Sequence, residues 1–478
     1  MKSSFYNVTE YGILDDGTTD NTAAIRALIA EMEANGGGTL YFPAGKYVSG
    51  TIELKSNMTL LLDAGAEILC SEDPEKFPVI DKTVIEGWFR PTRSGFIKAL
   101  NAKNVAVKGR GTLNGRGYNW WHKYGDDRPR SIEFINCENV LIEGIQIMNS
   151  PMWTVHPVCC NNVTIHGISI KNPADSPNTD GINPDACSNV HISDCTVDVG
   201  DDCVTLKSGT QNDLYIKKHA CENITVTNCT MIHGHAGVVI GSEMSGGVRN
   251  VVISNCVFCG TDRGIRIKTR RLRGGIVEDV RISNIIMDRV FCPIVLNCFY
   301  RCSTTPEEMT FVSSPEKQPV RDDTPIFRNL YFSNLTVRHS IAAACWIEGL
   351  PEMPVDGITM DNISVDMRCG TDEKPQKPAM NFNDEKADAL MKGRGMLISN
   401  ARNIIMRNVH VDAPGEIGVA MKNCCNAEIS GMSIDRERGG KPLFQMKDCR
   451  DIFVSAQGSG LTGTDLLTQT NCENIQAG

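Results

Sequence analysis

The chain has 478 residues, 41% of them apolar and 22% charged, enough for a sizeable core and too apolar for wholesale disorder. A net charge of -9 argues against a general nucleic-acid binder, and no uncharged apolar run approaches the roughly 20 residues of a membrane-spanning helix. Such a length ordinarily means two or three domains, unless the chain is built from repeats.

The first residues, "MKSSFYNVTEYGILDDG", lack the basic, apolar and small-residue series of a secretory signal, so a cytoplasmic location is expected. "TDNTAAIRALIAEMEANGGG" follows, within 18–38. Asp20 is the expected N-cap, Ala24, Ile25, Leu28, Ile29 and Met32 share one helical face, and Gly36 to Gly38 stop the helix. No "GK[ST]" follows the glycines, so a phosphate loop is not expected. An amphipathic helix here would cover an open strand edge.

From residue 104 onward a short strand recurs behind asparagine: "NVAVKG", "NVLIEG", "NVTIHG", "NVHISD", "NITVTN", "NVVISN", and further variants to "NAEISG" at 426. The steps are commonly 23 to 35 residues. Alternating β-branched residues predict a strand with one buried face, and the flanking Asn and Gly predict turns. Units too short to bury a face alone must stack, which predicts an all-β, single-domain parallel β-helix over 1–478, with about ten or more coils rising ~4.8 Å each. Leucine-rich and propeller repeats would show patterns that are absent. Segments 209–220, 301–325 and 366–397 interrupt the repeat and are expected to be corner loops.

Cys195, Cys229 and Cys256 each lie six residues after a unit's Asn, the phase of a buried ladder. The twenty cysteines are therefore expected to be reduced thiols, and Cys256-Val-Phe-Cys259 is a lone CxxC without a partner pair. Asn162, Asn223 and Asn228 stand in N-x-T triplets but are expected to be turn residues.

"NTDGINPDACSNVHISDCTVDVGDDCVTLKSG" (178–209) places carboxylates where strands are expected. A half-buried carboxylate is costly unless something uses it. When the coils are aligned, "TDGINPD", "DDCVTLK", "HAGVVIG" and "DRGIRIK" superpose, and Asp201, His235 and Asp262 each lie 12 residues after their unit's Asn. This register predicts Asp180 beside Asp202 and Asp201 beside His235. It puts Arg266 in the column of Asn183 and His156, and Lys268 in that of Asp185 and Lys207. The carboxylates and imidazole would then meet within about two coil rises, ~10 Å, with one proton held near neutral pH.

Two carboxyl roles are what glycoside hydrolysis needs, an acid for the leaving oxygen and a base for water. Asp180 and Asp202 would grip the water and Asp201 would donate the proton. Acidic residues also serve β-helix corners structurally, and clustered carboxylates suit Ca²⁺ or Mg²⁺. The run "DRGIRIKTRRLRGG" tips the balance toward an anionic sugar, because Arg263, Arg266, Lys268, Arg270, Arg271 and Arg273 would weaken a cation site.

"NTDGIN", "GDDC", "GHAGVVIGSE" and "RGIRIKT", in that order on consecutive coils, resemble the signature blocks of the family 28 glycoside hydrolases, the polygalacturonase family. "YGILDDGTTDNTAAI", "GGGTLYFPAGKY" and "SPMWTVHP" are also similar to it, so that the resemblance runs from about residue 8 to 300. The resemblance implies a right-handed parallel β-helix with catalytic coils over 100–300. It also implies inverting hydrolysis of α-1,4-linked galacturonate without metal or cofactor. Asp201 would be the general acid, Asp180 and Asp202 would orient and deprotonate water, and His235 would tune the acid or bond the sugar. Arg266 and Lys268 would hold the galacturonate carboxylate, with Asn178 and Tyr300 in the same subsite. His156 would reach a further sugar and Glu243 a hydroxyl group. Ala236 stands where the family often has Gly, which makes the role of His235 less secure.

The expected partner is an anionic galacturonide, polymeric or oligomeric, with no nucleic acid and no membrane. Release of terminal galacturonic acid is favoured over internal cleavage. The alternatives are a rhamnogalacturonan-type hydrolase of the same family, a lyase that would need calcium, and a non-catalytic carbohydrate-binding β-helix.

Overall fold

Each repeat unit turns on its asparagine. In the computed structural model, which describes residues 4–367, 394–412, 417–435, 443–458 and 467–477, Asn104, Asn139, Asn162, Asn189, Asn223 and Asn250 have φ between 56° and 58°. Asparagine enters this left-handed region more readily than other side-chain-bearing residues because its short polar group bonds locally. The amides then stack from coil to coil: Asn104 donates to Asn57 (2.8 Å), Asn139 to Asn104 (2.9 Å) and Asn162 to Asn139 (2.8 Å). The N-x-T residues Asn162, Asn223 and Asn228 all sit at such left-handed turns.

The fold is a right-handed parallel β-helix, the hand expected of parallel crossovers. The chain divides into two compact units, Met1–Gly234 and His235–Gly478. In the first unit, parallel pairing stacks Val105, Val140, Val163, Val190 and Ile224 in one buried column. Leu113, Ile147, Ile170, Val197 and Met231 form a second. Strands Ile52–Leu54, Ile97–Leu100, β1 (Ile132–Ile135) and β2 (Val155–Val158) form a further ladder. β3 (Val204–Leu206) continues the course of the chain past the aspartates. Burying a Val or Ile fully is worth roughly 1.5–3 kcal/mol, and each coil acquires that burial only from the coil beside it.

Helix α1 (Thr22–Ala34) buries Ile25, Leu28, Ile29 and Met32 as the spacing predicts, while Ala24 of the same expected face is half-buried, and the helix packs on Ile52–Leu54 and Gly45–Ser49. Its start differs by one residue from expectation. Asn21 occupies the N-cap position, but its side chain is held by Leu14, bonding both N and O of that residue at 2.9 Å. The carboxylate of Asp20 instead accepts from the amide of Thr22 (2.9 Å). Gly36 and Gly37, at φ 93° and 109°, end the helix.

In the second unit, Val251, Val280, Leu330, Ile358, Ile404, Ala427 and Ile452 form the corresponding buried column. The unit's other ladder runs through β4 (Val238–Gly241), β5 (Arg263–Lys268), β6 (Cys292–Asn297) and β7 (Ala343–Glu348). The corner segment 301–325 contains a short helix, α2 (Met309–Ser313). Of the other expected long loop, 366–397, residues 368–393 lie outside the described residues.

Every cysteine among the described residues is a free thiol, and Cys195, Cys229 and Cys256 are buried. Some stack as a ladder: the Cys137 amide donates to Cys160 Sγ and the Cys160 amide to Cys187 Sγ, both at 3.4 Å. Cys256 and Cys259 share the strand Val248–Cys259, one buried and one half-buried. Residues three apart on a strand face opposite ways, so this CxxC does not converge on one ion. No helix of the described residues is long and apolar enough to cross a membrane.

Candidate active site

The first unit carries Asp180, Asp201 and Asp202. Isolated parallel bridges join Val155 to Ile182 and Ile182 to Val204, while Val158 joins Asp185 and Asp185 joins Lys207. The amide of Gly181 donates to the Asp202 carbonyl (3.0 Å) and that of Thr154 to the Asp180 carbonyl (2.8 Å). Asp180 and Asp202 thus occupy the same position on successive coils, with Trp153 one coil before them. This is the stacking that the spacing predicts.

Both aspartates are buried, at 3% and 1% exposure, whereas Asp201 is half-buried. Asp180 accepts from Asn183 Nδ2 (3.1 Å). Asp201 Oδ1 accepts from the Asp202 amide (2.9 Å), and a carboxylate oxygen of each lies within 4.8 Å of one on the other. A half-buried carboxyl, Asp201, therefore stands beside the buried Asp202, which shares its position with Asp180 on the neighbouring coil. Burial, with the charge of Asp202, pushes the Cys203 thiol well above its ordinary range, so this neighbour is no nucleophile.

Asn178 takes a left-handed turn at φ 56°, and its Oδ1 accepts from Arg128 Nη2 (2.7 Å). Arg128 also donates to the carbonyls of Pro151 (2.9 Å), Pro177 (2.8 Å) and Gly125, fixing three chain segments around Asn178. Sequence reasoning missed Arg128. The only signal was an Arg-Pro-Arg run leading into β1.

His156, on β2, stands opposite Glu133 of β1 and is only 3% exposed. Its ring nitrogens face Glu133 (3.6 Å) and Asp185 (3.5 Å), and its ring meets Trp153 edge-on at 4.8 Å between centroids. Burial alone would push the Glu133 carboxyl up, but His156, the Arg130 charge and the Gly95 amide outweigh it and hold the group below its ordinary range. Arg130 and Lys207 place their charges 5.4 and 4.7 Å from the Trp153 ring. Within this unit His156 thus lies between two buried carboxylates.

The second unit carries Arg266, Lys268 and Tyr300. Val239 pairs with Arg266 and Gly241 with Lys268, and on the other side Arg266 pairs with Val295 and Lys268 with Asn297. The Tyr300 ring lies 5.1 Å from both the Arg266 guanidinium and the Lys268 ammonium. All three side chains are buried, at 3%, 6% and 8% exposure. His235 precedes β4 and is half-buried, and its carbonyl accepts from the Arg263 amide (3.2 Å). Ala236 is fully buried, so its methyl group belongs to the interior. Glu243, half-buried, accepts from Ser242 Oγ (3.3 Å).

The basic run divides, contrary to its reading as one patch for an anionic sugar. Arg266 and Lys268 flank Tyr300. Arg270 and Arg271 instead turn into the protein, donating to the Ser303 carbonyl (2.9 Å) and to Glu352 (2.6 Å) respectively. Arg263 faces its neighbour Asp262 at 3.4 Å. The alternation that puts residues 266 and 268 on one side of β5 ends with the strand, and Arg270 and Arg271 lead into the turn that follows it.

Residues 43–388 match the family described as glycosyl hydrolases family 28. A probable polygalacturonase of Vitis vinifera is 32% identical over 77% of this chain and 76% of its own length. The crystal structure of a hyperthermoactive exopolygalacturonase from Thermotoga maritima superposes with a TM-score of 0.70 at 29% identity, covering 85% of this chain and 91% of that one.

Proposed function

This chain belongs to glycosyl hydrolase family 28 and is a glycoside hydrolase, and from that premise we propose that it releases galacturonic acid from the ends of pectic galacturonide chains with inversion at the anomeric carbon. The observation that carries the reading is the pair of buried aspartates on successive coils with a third, more open carboxyl beside them. Inverting hydrolysis needs one carboxyl to protonate the leaving oxygen and another to activate water on the opposite face. Asp201 is the donor in this reading, and Asp180 with Asp202 holds and deprotonates the water. His235 tunes the donor or bonds the sugar.

Arg266, Lys268 and Tyr300 recognise the uronate: two cations beside one aromatic ring offer charge and planar contact to a ring bearing a carboxylate. Asn178, Glu243 and His156 complete the proposed sugar contacts. The exopolygalacturonase relative supports action at chain ends, and the free thiols support work in a reducing compartment.

Proton NMR of the first product should show the β-anomer accumulating before mutarotation. An initial α-anomer would overturn the two-carboxylate mechanism. Chromatography of early products from polygalacturonate should show monomer alone, and a ladder of oligomers would overturn end-directed release.

A further inference from the structure

Arg271 lies three residues beyond Lys268, and its guanidinium has more protein partners than any sugar contact would allow. Nε and Nη2 meet Glu352 in a two-pronged pair at 2.6 and 3.0 Å. Nη1 donates to the carbonyls of Phe311 (3.2 Å), Val312 (3.3 Å) and Ser314 (2.7 Å), and Nη2 to that of Glu316 (3.3 Å). All five N–H groups are thereby engaged. The Glu352 carboxylate also accepts from the Gln318 amide (3.3 Å). One buried ion pair therefore ties the 311–318 segment, which begins in the last turn of α2, to the turn after β5.

The same clamp reaches the proposed uronate subsite. The Arg271 guanidinium lies 5.2 Å from the ring of Phe299, the residue before Tyr300. Phe299 is bonded through its amide to Asn297 Oδ1 (2.8 Å), and Asn297 pairs with Lys268. The Tyr300 amide donates to the Thr269 carbonyl (2.9 Å). On the far side of Tyr300, Arg270 donates to the Ser303 carbonyl (2.9 Å) and faces Glu308 at 3.3 Å. Tyr300 is thus bracketed by chain that two arginines hold in place.

We propose that Arg271 is a positioning residue for substrate binding: through Phe299, the residue before Tyr300, it fixes the Tyr300 ring against Arg266 and Lys268. The assignment rests on the uronate reading of those three residues. An apolar plug at 271 would fill the volume but leave the loop carbonyls without donors. Lysine would keep the charge but lack the planar fork.

The test is a double-mutant cycle in steady-state kinetics on oligogalacturonides, with melting followed by circular dichroism. Arg271→Lys should raise KM about tenfold and leave kcat within about twofold, the signature of lost binding. In a Tyr300→Ala background, Arg271→Lys should add no further rise in KM, because the residue acts through the tyrosine. A folded Arg271→Lys protein with unchanged KM, or an undiminished rise on top of Tyr300→Ala, would overturn the assignment. If Arg271→Lys does not fold, Glu352→Gln in the same cycle loosens the fork while keeping the guanidinium, and the same outcomes decide. Absence of turnover by the unmodified protein would instead overturn the galacturonide reading.

Discussion

Residues 178–209 and 262–273 both crowd charge onto buried β-helix coils, and they use it in opposite ways. In the first stretch Asp180 and Asp202 stack on one another's coils, and Asp201 accepts from the backbone amide of its neighbour Asp202. In the second, Arg270 and Arg271 reach across to a distant loop and are fully enclosed by carbonyls and carboxylates. The acidic stretch keeps short side chains close to the backbone that positions them. The basic stretch has long side chains whose destination is set by chain that returns many residues later. A cluster of like charge is therefore not one signal: reach decides whether it serves a ligand or the fold.

The sharpest way to break the contrast is to remove one charge from each stretch. Asp201→Asn should lower kcat by about 10²–10⁴-fold, with oligogalacturonide binding and the melting temperature essentially unchanged. Reducing-end assays and calorimetry would read both, and retained turnover would remove Asp201 from the donor role. Arg271→Ala should do the reverse first: it strands a buried Glu352 and four carbonyls, which costs about 3–5 kcal/mol of stability in chemical denaturation. Equal stability losses in the two variants would erase the distinction.

A smaller effect tests the acidic side alone. Asp213 follows this stretch, and burial, helped by the charge of Asp185, pushes its carboxyl up to about 6 against the opposing Ile216 amide. A carboxyl raised in the folded state binds its proton more tightly there than when unfolded. Its stabilising contribution is complete below about pH 4 and disappears as pH rises through about 6. Asp213→Asn should flatten that decline between pH 4 and 7. An unchanged pH–stability slope would show that another group sets it. Solvent screens this partly open group, so the effect should be the smallest of the three.

The repeat and the stacking of Asp180 on Asp202 were legible because strand periodicity and coil spacing are properties of the backbone. An asparagine at a left-handed turn marks the start of a strand wherever it stands, and equal spacing from it gives equal height on the wall. What stayed hidden depends on side-chain reach. Arg128 on Asn178 spans 50 positions and Arg271 on Glu352 spans 81, and no local pattern distinguishes either from a solvated arginine. The start of α1 shifted for a similar reason, since the competing partner of Asn21 is Leu14, outside any helical pattern.

The asparagine stack has a direction. Asn104, Asn139, Asn162 and Asn223 in the first unit, and Asn403 and Asn426 in the second, each donate Nδ2 to the residue one winding earlier. Dipoles aligned head to tail polarise one another, so each amide strengthens those before and after it. Within each unit such a file of side chains therefore has a polarity of its own, with acceptors offered toward later windings. An extra coil grafted after the last would find its first bond waiting, whereas one grafted before the first would have to supply the acceptor itself.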